Sequence, residues 1–261
     1  MGDPGSGGLI VLVIGRLGGE IHAFPPEGLR YIRTMNQYRI RRRVTGAAMV
    51  LLSALGVSTG VGAQAPTAPP AGKLTEVAAD PGLLQKLRAG GFTLYLRHSL
   101  TDNAHPDRVP EVDLEDCTTQ RPLTAAGRRL AADVGRGIAA AKIPIDPIHI
   151  SPMCRVRDTA AAAFPGRDFL VDKQLMYTAN LTDEQKVPIL EHTRQLLSGP
   201  VAPGHNLLVI AHGPNLADLT GYFPKEATLV VFRPTAAAGF RYVASIRPEL
   251  WSKLLGKNVA R

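Results

Sequence analysis

The sequence predicts an α/β fold with a mainly parallel sheet, flanked by helices on both faces and bearing an antiparallel edge strand. Three observations lead to this expectation. Short apolar runs alternate with segments of helical spacing between residues 92 and 246, which is typical of parallel strands that alternate with helices. Two late apolar runs, at residues 228–233 and 240–246, share a glycine-containing connection. Hydrophobic residues make up 45% of the chain, so a full core can form.

The elements can be placed in order from their capping residues and periodicity. Asp80, followed by proline, has the chemistry of a helix start, and Gly90 ends that helix. The first strand is expected at residues 92–96. A long helix is expected over residues 124–141, because apolar residues recur at helical spacing from Leu130 onward.

The second half of the chain continues the alternation. Pro188 lies within one of its predicted helices and either kinks that helix or delays its start. The expected elements are a strand ending at Ile150, helix 155–163, strand 169–171, helix 182–197, strand 207–211, helix 215–219, strands 228–233 and 240–246, and helix 248–255.

Charged and polar side chains follow three of the predicted strands. Arg97 and His98 end the first strand, Arg155 comes shortly after the second, and His212 follows the fourth. Ligands of open α/β sheets collect at the carboxyl ends of the strands, so these side chains are expected in one pocket. Guanidinium groups match phosphate oxygens, and a neutral imidazole among positive neighbours can attack phosphorus. The pattern predicts phosphoryl chemistry.

The order of these motifs resembles the histidine phosphatase superfamily, also called the phosphoglycerate mutase-like family. The opening motif Arg-His-Gly-x-Thr appears as Arg-His-Ser-Leu-Thr at residues 97–101. The resemblance continues through Arg-Pro-Leu-Thr-Ala-Ala-Gly at 121–127, Ser-Pro-Met-Cys-Arg at 151–155 and Val-Ile-Ala-His at 209–212. These motifs span residues 92–246 in the family's order, which makes the resemblance specific.

The resemblance implies a phosphoglycerate mutase-like fold and a role for each matching residue. His98 would become the phosphohistidine, while Arg97, Arg155 and His212 would hold the phosphoryl oxygens. Thr101 would add a hydroxyl donor for the substrate. No cofactor is implied, and no metal site is expected, because soft ligands are few and the two histidines serve the phosphate.

The sequence departs from the family pattern at two places. Ser99 replaces the usual glycine, which permits backbone conformations that other residues adopt only with strain. Many members also supply a glutamate as general acid after the third strand, where this chain has Tyr177. The remaining carboxyl candidates are Asp102, which could equally cap a turn, and Asp183 or Glu184, which fit a capping box better. Glu226 is the third candidate, and it lies either on ordinary surface or at the pocket rim, where it is expected to bind the substrate together with Thr101.

Without an obvious acid, substrates with good leaving groups are favoured, such as phosphohistidine or phosphoanhydrides. The preferred function is a phosphatase acting on a phosphomonoester or phosphoramidate, with a phosphorylated small molecule or a phosphohistidine protein as substrate. The alternatives are a phosphoryl-transferring mutase and a phosphate-ligand binding protein without turnover.

The amino-terminal region predicts export. Residues 1–34 are interpreted as a mistaken extension, residues 35–65 as a signal peptide with a basic start, an apolar run and an Ala-Gln-Ala cleavage site, residues 66–73 as a disordered linker, and residues 74–261 as the phosphatase-like domain. A periplasmic or secreted protein is expected, with no stable membrane span after cleavage.

The chain carries a net charge of +8, of which residues 1–65 account for half. Because no basic run with interleaved aromatic residues remains, nucleic acid is not an expected partner.

The two cysteines, Cys117 and Cys154, both lie in the predicted mature domain. A pair of cysteines in an exported protein favours a disulfide. Such a bond would join the loop before the long helix to the loop after the second strand. Two buried thiols are the alternative, because the sequence does not establish how closely the side chains approach.

Overall fold

The computed structural model of the chain describes residues 14–17, 20–23, 74–109, 112–235 and 239–256. The chain divides into two compact units, Met1–Gln64 and Ala65–Arg261. In the first unit, β1 (Ile14–Leu17) pairs antiparallel with β2 (Glu20–Ala23). Apart from these two strands, the predicted extension, signal peptide and linker lie outside the described residues, and they remain predictions.

The second unit alternates strands and helices as the sequence predicts. Its described strands are β3 (Thr93–Arg97), β4 (Ile145–Ile150), β5 (Leu170–Val171), β6 (Asn206–Ala211), β7 (Leu229–Thr235) and β8 (Gly239–Ile246). Its described helices are α1 (Pro81–Ala89), α2 (Ala125–Ala140), α3 (Cys154–Ala163), α4 (Asp183–Ser198), α5 (Gly213–Thr220) and α6 (Leu250–Leu254). None of the helices in the described ranges has the length and apolar character needed to cross a membrane.

Strands β3 to β8 form one sheet in the order β5-β4-β6-β3-β7-β8. The first four strands in this order are parallel to one another, whereas β7 is antiparallel to β3 and to β8. The predicted mainly parallel sheet with an antiparallel edge is therefore confirmed. Strand β6 lies between β3 and β4, so the carboxyl ends of these three strands are adjacent.

Side chains alternate between the two faces of this sheet, as the twofold period of a strand requires. On one face, Leu94 of β3 and Ile210 of β6 are buried in a core to which α1, α2, α3 and α6 contribute. On the other face, Tyr95 and Val209 belong to a second core with residues of α4 and α5. Helices therefore cover both faces, and the sheet is held rigidly behind the strand ends.

Short polar side chains fix where the helices begin. Asp80 accepts a hydrogen bond from the backbone N–H of Leu83, and Thr124 caps α2. Helix α4 starts at the predicted capping box, in which the Thr182 and Gln185 side chains bond each other's backbone N–H groups. Pro188 lies inside α4 and does not delay its start.

Candidate active site

The three predicted strand ends meet, and backbone hydrogen bonds hold them in register. The N–H of His98 donates to the carbonyl of Ala211 on β6 at 2.9 Å, and the N–H of Ser151 donates to the carbonyl of Ile210 at 3.0 Å. The end of β6 thus binds the residues that follow both of its neighbours. This arrangement places His98, Ser151 and His212 at one edge of the sheet.

His98 lies at the bottom of the site with a side chain only 1% exposed. Its Nδ1 atom is 2.9 Å from the carbonyl oxygen of Ser99. A carbonyl oxygen can only accept a hydrogen bond, so Nδ1 carries the proton and the lone pair lies on Nε2. Nε2 is therefore the nucleophilic atom of this imidazole.

The surroundings of His98 keep the ring neutral. Burial, assisted by the guanidinium groups of Arg155, Arg97 and Arg121, lowers the pKa of His98 to about 3. Burial also holds the pKa of His212 well below its usual range, again assisted by Arg155. A neutral imidazole with a free lone pair is the form that attacks phosphorus.

We expect His98 to remain unprotonated in the free protein well below the pH at which an ordinary imidazole gains its proton, near 6.5. The neutral form is populated above the pKa, so lowering the pKa of His98 to about 3 moves its protonation to that pH. NMR titration of the imidazole carbon resonances, assigned with His98→Ala, measures this directly. A His98 titration midpoint between pH 6 and 7 would contradict the prediction.

The charges of Arg97 and Arg155 act on the imidazole of His98, and the His212 ring lies beside it. Arg155 is fully buried, and its Nη1 atom donates to both oxygens of Asp107 at 2.9 and 3.2 Å. Arg97 donates from Nη1 to the carbonyl of Pro224 at 2.7 Å. The His212 ring is 5.5 Å from that of His98, and its Nε2 atom is 2.8 Å from the Ser151 hydroxyl oxygen.

Several nitrogen atoms of these side chains are buried and have no hydrogen-bond partner among the described residues. They are Arg97 Nε, Arg121 Nε, Arg155 Nε and Nη2, and His212 Nδ1. Unpaired buried polar atoms are costly, and a bound ligand is one group that can accept hydrogen bonds from those at this site. An anion with several acceptor oxygens fits this donor set, and phosphate is such an anion whose geometry the arginine fork matches.

Three further side chains lie at the site, although the motifs assign no role to them: Asp107, Arg121 and Tyr177. Asp107 neutralises part of the Arg155 charge. The Tyr177 ring lies 4.9 Å from the Arg155 guanidinium carbon and 5.3 Å from the His212 ring. Together with Arg121, Asp107 and Tyr177 line a cavity of about 300 Å³. Arg121 opens a motif that the sequence does reveal, whereas Asp107 had no recognisable signal.

Thr101 and Glu226 both lie at the site, but their side chains form a hydrogen bond with each other. The Thr101 hydroxyl donates to Glu226 Oε1 at 2.9 Å. Its proton is thus engaged by a carboxylate, which accepts more strongly than a neutral oxygen. The predicted hydroxyl donor for the substrate is occupied in this structure. Glu226 lies at the rim of the site rather than on ordinary surface, with a side chain 21% exposed.

The replacement of glycine by Ser99 needs no unusual backbone, since Lys142 and Ala227 alone have positive φ among the described non-glycine residues. The Ser99 hydroxyl donates to the carbonyl of Gly127 at 2.7 Å. Gly127 itself must lack a side chain, because a Cβ atom there would lie 2.1 Å from the carbonyl oxygen of Leu100. The loop after His98 is therefore packed directly against the first turn of α2.

The other carboxyl candidates for a general acid have structural partners. Asp102 accepts from the N–H of Ala104 and lies 2.8 Å from His105, so it caps an exposed turn. Asp183 and Glu184 occupy the first turn of α4 beyond the capping residue Thr182. These contacts agree with the turn and capping-box interpretations.

Cys117 and Cys154 form a disulfide, as the sequence favours. The bond joins the turn Cys117–Thr119 to the first residue of α3, directly before Arg155. The Gln120 side chain reinforces this junction by accepting from the N–H of Cys154 at 2.8 Å. The segment that carries Asp107 and Arg121 is thereby attached to the helix that carries Arg155.

Replacing both cysteines with serine is expected to lower the free energy of unfolding by about 3–4 kcal/mol, because the bond closes a loop of 37 residues in the unfolded chain. Urea unfolding of the wild type and of Cys117→Ser/Cys154→Ser measures the difference. A reductant should destabilise the wild type and leave the double variant unchanged. Equal stability of the two oxidised proteins would refute the expectation.

No profile of a known protein family matches the chain, and no curated protein does so either. Solved structures do match. The protein histidine phosphatase SixA, in a complex with tungstate, is 15% identical with a TM-score of 0.43, and the match covers 60% of this chain and 97% of that chain.

Two further solved structures are similar. A mycobacterial glucosyl-3-phosphoglycerate phosphatase is 16% identical with a TM-score of 0.43, covering 60% of this chain and 99% of that chain. The alpha-ribazole phosphatase of Shigella flexneri is 12% identical with a TM-score of 0.45, covering 60% of this chain and 96% of that chain. With identities below 25% and TM-scores below 0.5, these similarities by themselves carry no inference about the reaction. The chain is similar to these three proteins among solved structures, and its motifs resemble those of the histidine phosphatase superfamily.

Proposed function

We propose that the protein is an exported phosphatase that hydrolyses a phosphomonoester or a phosphoramidate through a phosphohistidine on His98. One observation carries the proposal. A buried, neutral imidazole with a free Nε2 lone pair lies beside the His212 ring and within electrostatic reach of Arg97, Arg121 and Arg155, and these four side chains carry buried nitrogen atoms with no hydrogen-bond partner among the described residues. Such a site provides a nucleophile together with donors for the oxygens of the group that it attacks.

The reaction proceeds in two displacements. Nε2 of His98 attacks phosphorus, the bond to the leaving group breaks, and the imidazole becomes a positively charged phosphoimidazolium. Water then attacks phosphorus and gives up a proton to the solvent, the N–P bond breaks with its electron pair returning to Nε2, and His98 returns to its neutral form as inorganic phosphate leaves. Phosphoryl transfer needs little beyond positioning and charge stabilisation, which Arg97, Arg155 and His212 supply.

The carboxylates near the site favour substrates whose leaving groups need no protonation. Both carboxylate oxygens of Asp107 accept hydrogen bonds from Arg155, and Glu226 accepts one from the Thr101 hydroxyl. Tyr177 stands where the family resemblance places a glutamate. Phosphohistidine proteins and phosphorylated small molecules with good leaving groups are therefore the proposed substrates.

Export is proposed on two grounds. Residues 35–65 have the order of regions of a signal peptide. A disulfide, as between Cys117 and Cys154, persists in oxidising compartments such as the periplasm. Amino-terminal sequencing of the protein recovered from a periplasmic fraction tests this part, and a start near Pro66 is the expected result.

The enzymatic part is tested with an aryl phosphate and with a phosphohistidine peptide. We expect release of inorganic phosphate and a phosphorylated intermediate that is labile to acid, mapped to His98 by mass spectrometry after a rapid alkaline quench. A mutase would instead return the phosphoryl group to an isomer of the substrate. Phosphate binding without turnover of either probe would identify a binding protein and overturn the proposal.

A further inference from the structure

One carboxylate oxygen of Glu226 makes three contacts with the nucleophile loop. Oε1 accepts from the Thr101 hydroxyl at 2.9 Å, lies 3.9 Å from Arg97 Nη2, and lies 4.0 Å from His98 Nδ1. The same side chain lines a cavity of about 700 Å³ that adjoins Arg97. A negative charge is therefore held against the buried imidazole from the rim of the site.

A tight turn fixes this placement. Ala227, the next residue, is buried and has a φ of 60°, a left-handed conformation that non-glycine residues rarely adopt. Its N–H donates to the carbonyl of His98 at 3.1 Å, and the N–H of Arg97 donates to the carbonyl of Thr228. Residues held in such conformations cluster at functional sites, where the surrounding structure imposes them.

Of the two ring nitrogens of His98, Nδ1 is the nearer to Glu226, at 4.0 Å from Oε1. Nδ1, its nearest ring nitrogen, is the atom that donates to the Ser99 carbonyl, whereas Nε2 attacks phosphorus. A general acid must come within hydrogen-bond reach of the leaving-group oxygen, which departs beyond phosphorus on the Nε2 side. The position of Glu226 suits a different task.

We propose that Glu226 is a positioning residue that stabilises the positive charge which His98 acquires when Nε2 is phosphorylated. This inference rests on the proposed function. As the N–P bond forms, the leaving group departs with its electron pair and the ring becomes a cation. The Nδ1 atom keeps its proton and continues to donate it to the carbonyl of Ser99. The carboxylate of Glu226 attracts that cation across 4.0 Å, and the imidazole itself is only 1% exposed.

Removing this charge is expected to change the rates of the two chemical steps differently. Glu226→Gln keeps an acceptor for Thr101 but removes the charge, so formation of the phosphoimidazolium is expected to slow by about 10- to 100-fold. Its hydrolysis regenerates a neutral ring and is expected not to slow. The fraction of phosphorylated enzyme at steady state therefore falls. A variant that merely loosened the site would slow both steps.

Rapid-quench measurement of both steps tests the proposal, with a series of aryl and alkyl phosphates as substrates. Slowing of formation by the same factor across the series, with partial recovery in Glu226→Asp, is the expected result. Glu249→Gln is the matched control, since Glu249 lines the same cavity with a side chain 65% exposed. A larger loss for alkyl than for aryl phosphates would show that Glu226 is the general acid, and an unchanged rate would remove it from the mechanism. Either outcome overturns the inference.

A second measurement separates this inference from the proposed function. Phosphoramidate, a reagent that phosphorylates imidazoles chemically, is used to load His98 without any phosphate ester. Loaded Glu226→Gln is expected to lose phosphate at least as fast as the loaded wild type. If the wild type turns over no phosphate ester, the proposed function fails. Slower loss from loaded Glu226→Gln than from loaded wild type would still contradict the role of Glu226.

Discussion

Replacing His98 with alanine is expected to lower kcat/KM for an aryl phosphate by at least about 10⁴-fold, because removal of a covalent nucleophile leaves only the contribution of the surrounding donors. The ring is buried, its lone pair is fixed on Nε2 by the Ser99 carbonyl, and its pKa is lowered to about 3. Binding of phosphate should persist in His98→Ala, since Arg97, Arg155 and His212 remain.

The control for this variant is His205→Ala, which removes an exposed imidazole from the loop before β6. Its activity is expected to match the wild type. Both variants are assayed for release of inorganic phosphate and for phosphate binding by calorimetry. A His98→Ala protein that keeps activity within tenfold of the wild type would exclude a phosphohistidine on this residue.

The sequence was sufficient for the parts of the site that belong to regular elements. Asp80, Thr124 and Thr182 are local signals, and the helices begin where these residues predict. His98 and His212 directly follow parallel strands, so strand-end geometry brings them together without knowledge of any loop. Local signals of this kind are readable because their physical cause lies within a few residues.

The remaining parts of the site depend on contacts between distant segments. Asp107 bonds Arg155 and also accepts from the N–H of Arg121, and the residues around Arg121 are joined to α3 by the Cys117–Cys154 bond and by Gln120. Tyr177 is placed by short turns with no periodic pattern. Such placements follow from the whole fold, and no local spacing encodes them.

The position of Glu226 relative to His98 also depends on contacts between distant segments of the chain. Its distance from Nδ1 depends on the left-handed conformation of Ala227 and on the pairing of β7 with β3. A sequence can identify a carboxyl group before a strand, but it cannot state which edge of an imidazole the group faces. The distinction between a proton donor and a stabilising charge depends on that edge.

The second large effect is expected at Arg155, which combines a structural and a catalytic role. Its side chain is fully buried, one nitrogen is paired with Asp107, and two others have no partner among the described residues. Arg155→Met keeps much of the volume but leaves the Asp107 carboxylate buried without its cation. Breaking one side of a buried ion pair costs about 3–5 kcal/mol of the free energy of unfolding. Activity should fall by about 10³-fold at the same time, because a charge that stabilises the transferring phosphoryl group is lost.

Loss of activity in Arg155→Met alone would not distinguish a damaged fold from a missing phosphate donor. A second variant, in which Asp107 is replaced as well, separates these two causes. In Arg155→Met/Asp107→Asn both charges are absent, so most of the lost stability should return, since replacing both partners of a buried pair is close to neutral. Urea unfolding and kcat/KM are measured on both variants. Recovered stability without recovered activity is the expected result, because the unpaired Nε and Nη2 atoms of Arg155 are absent from both proteins. Recovery of activity together with stability would show that Arg155 serves the fold alone, and the phosphate site would then have to be assigned to the other cations.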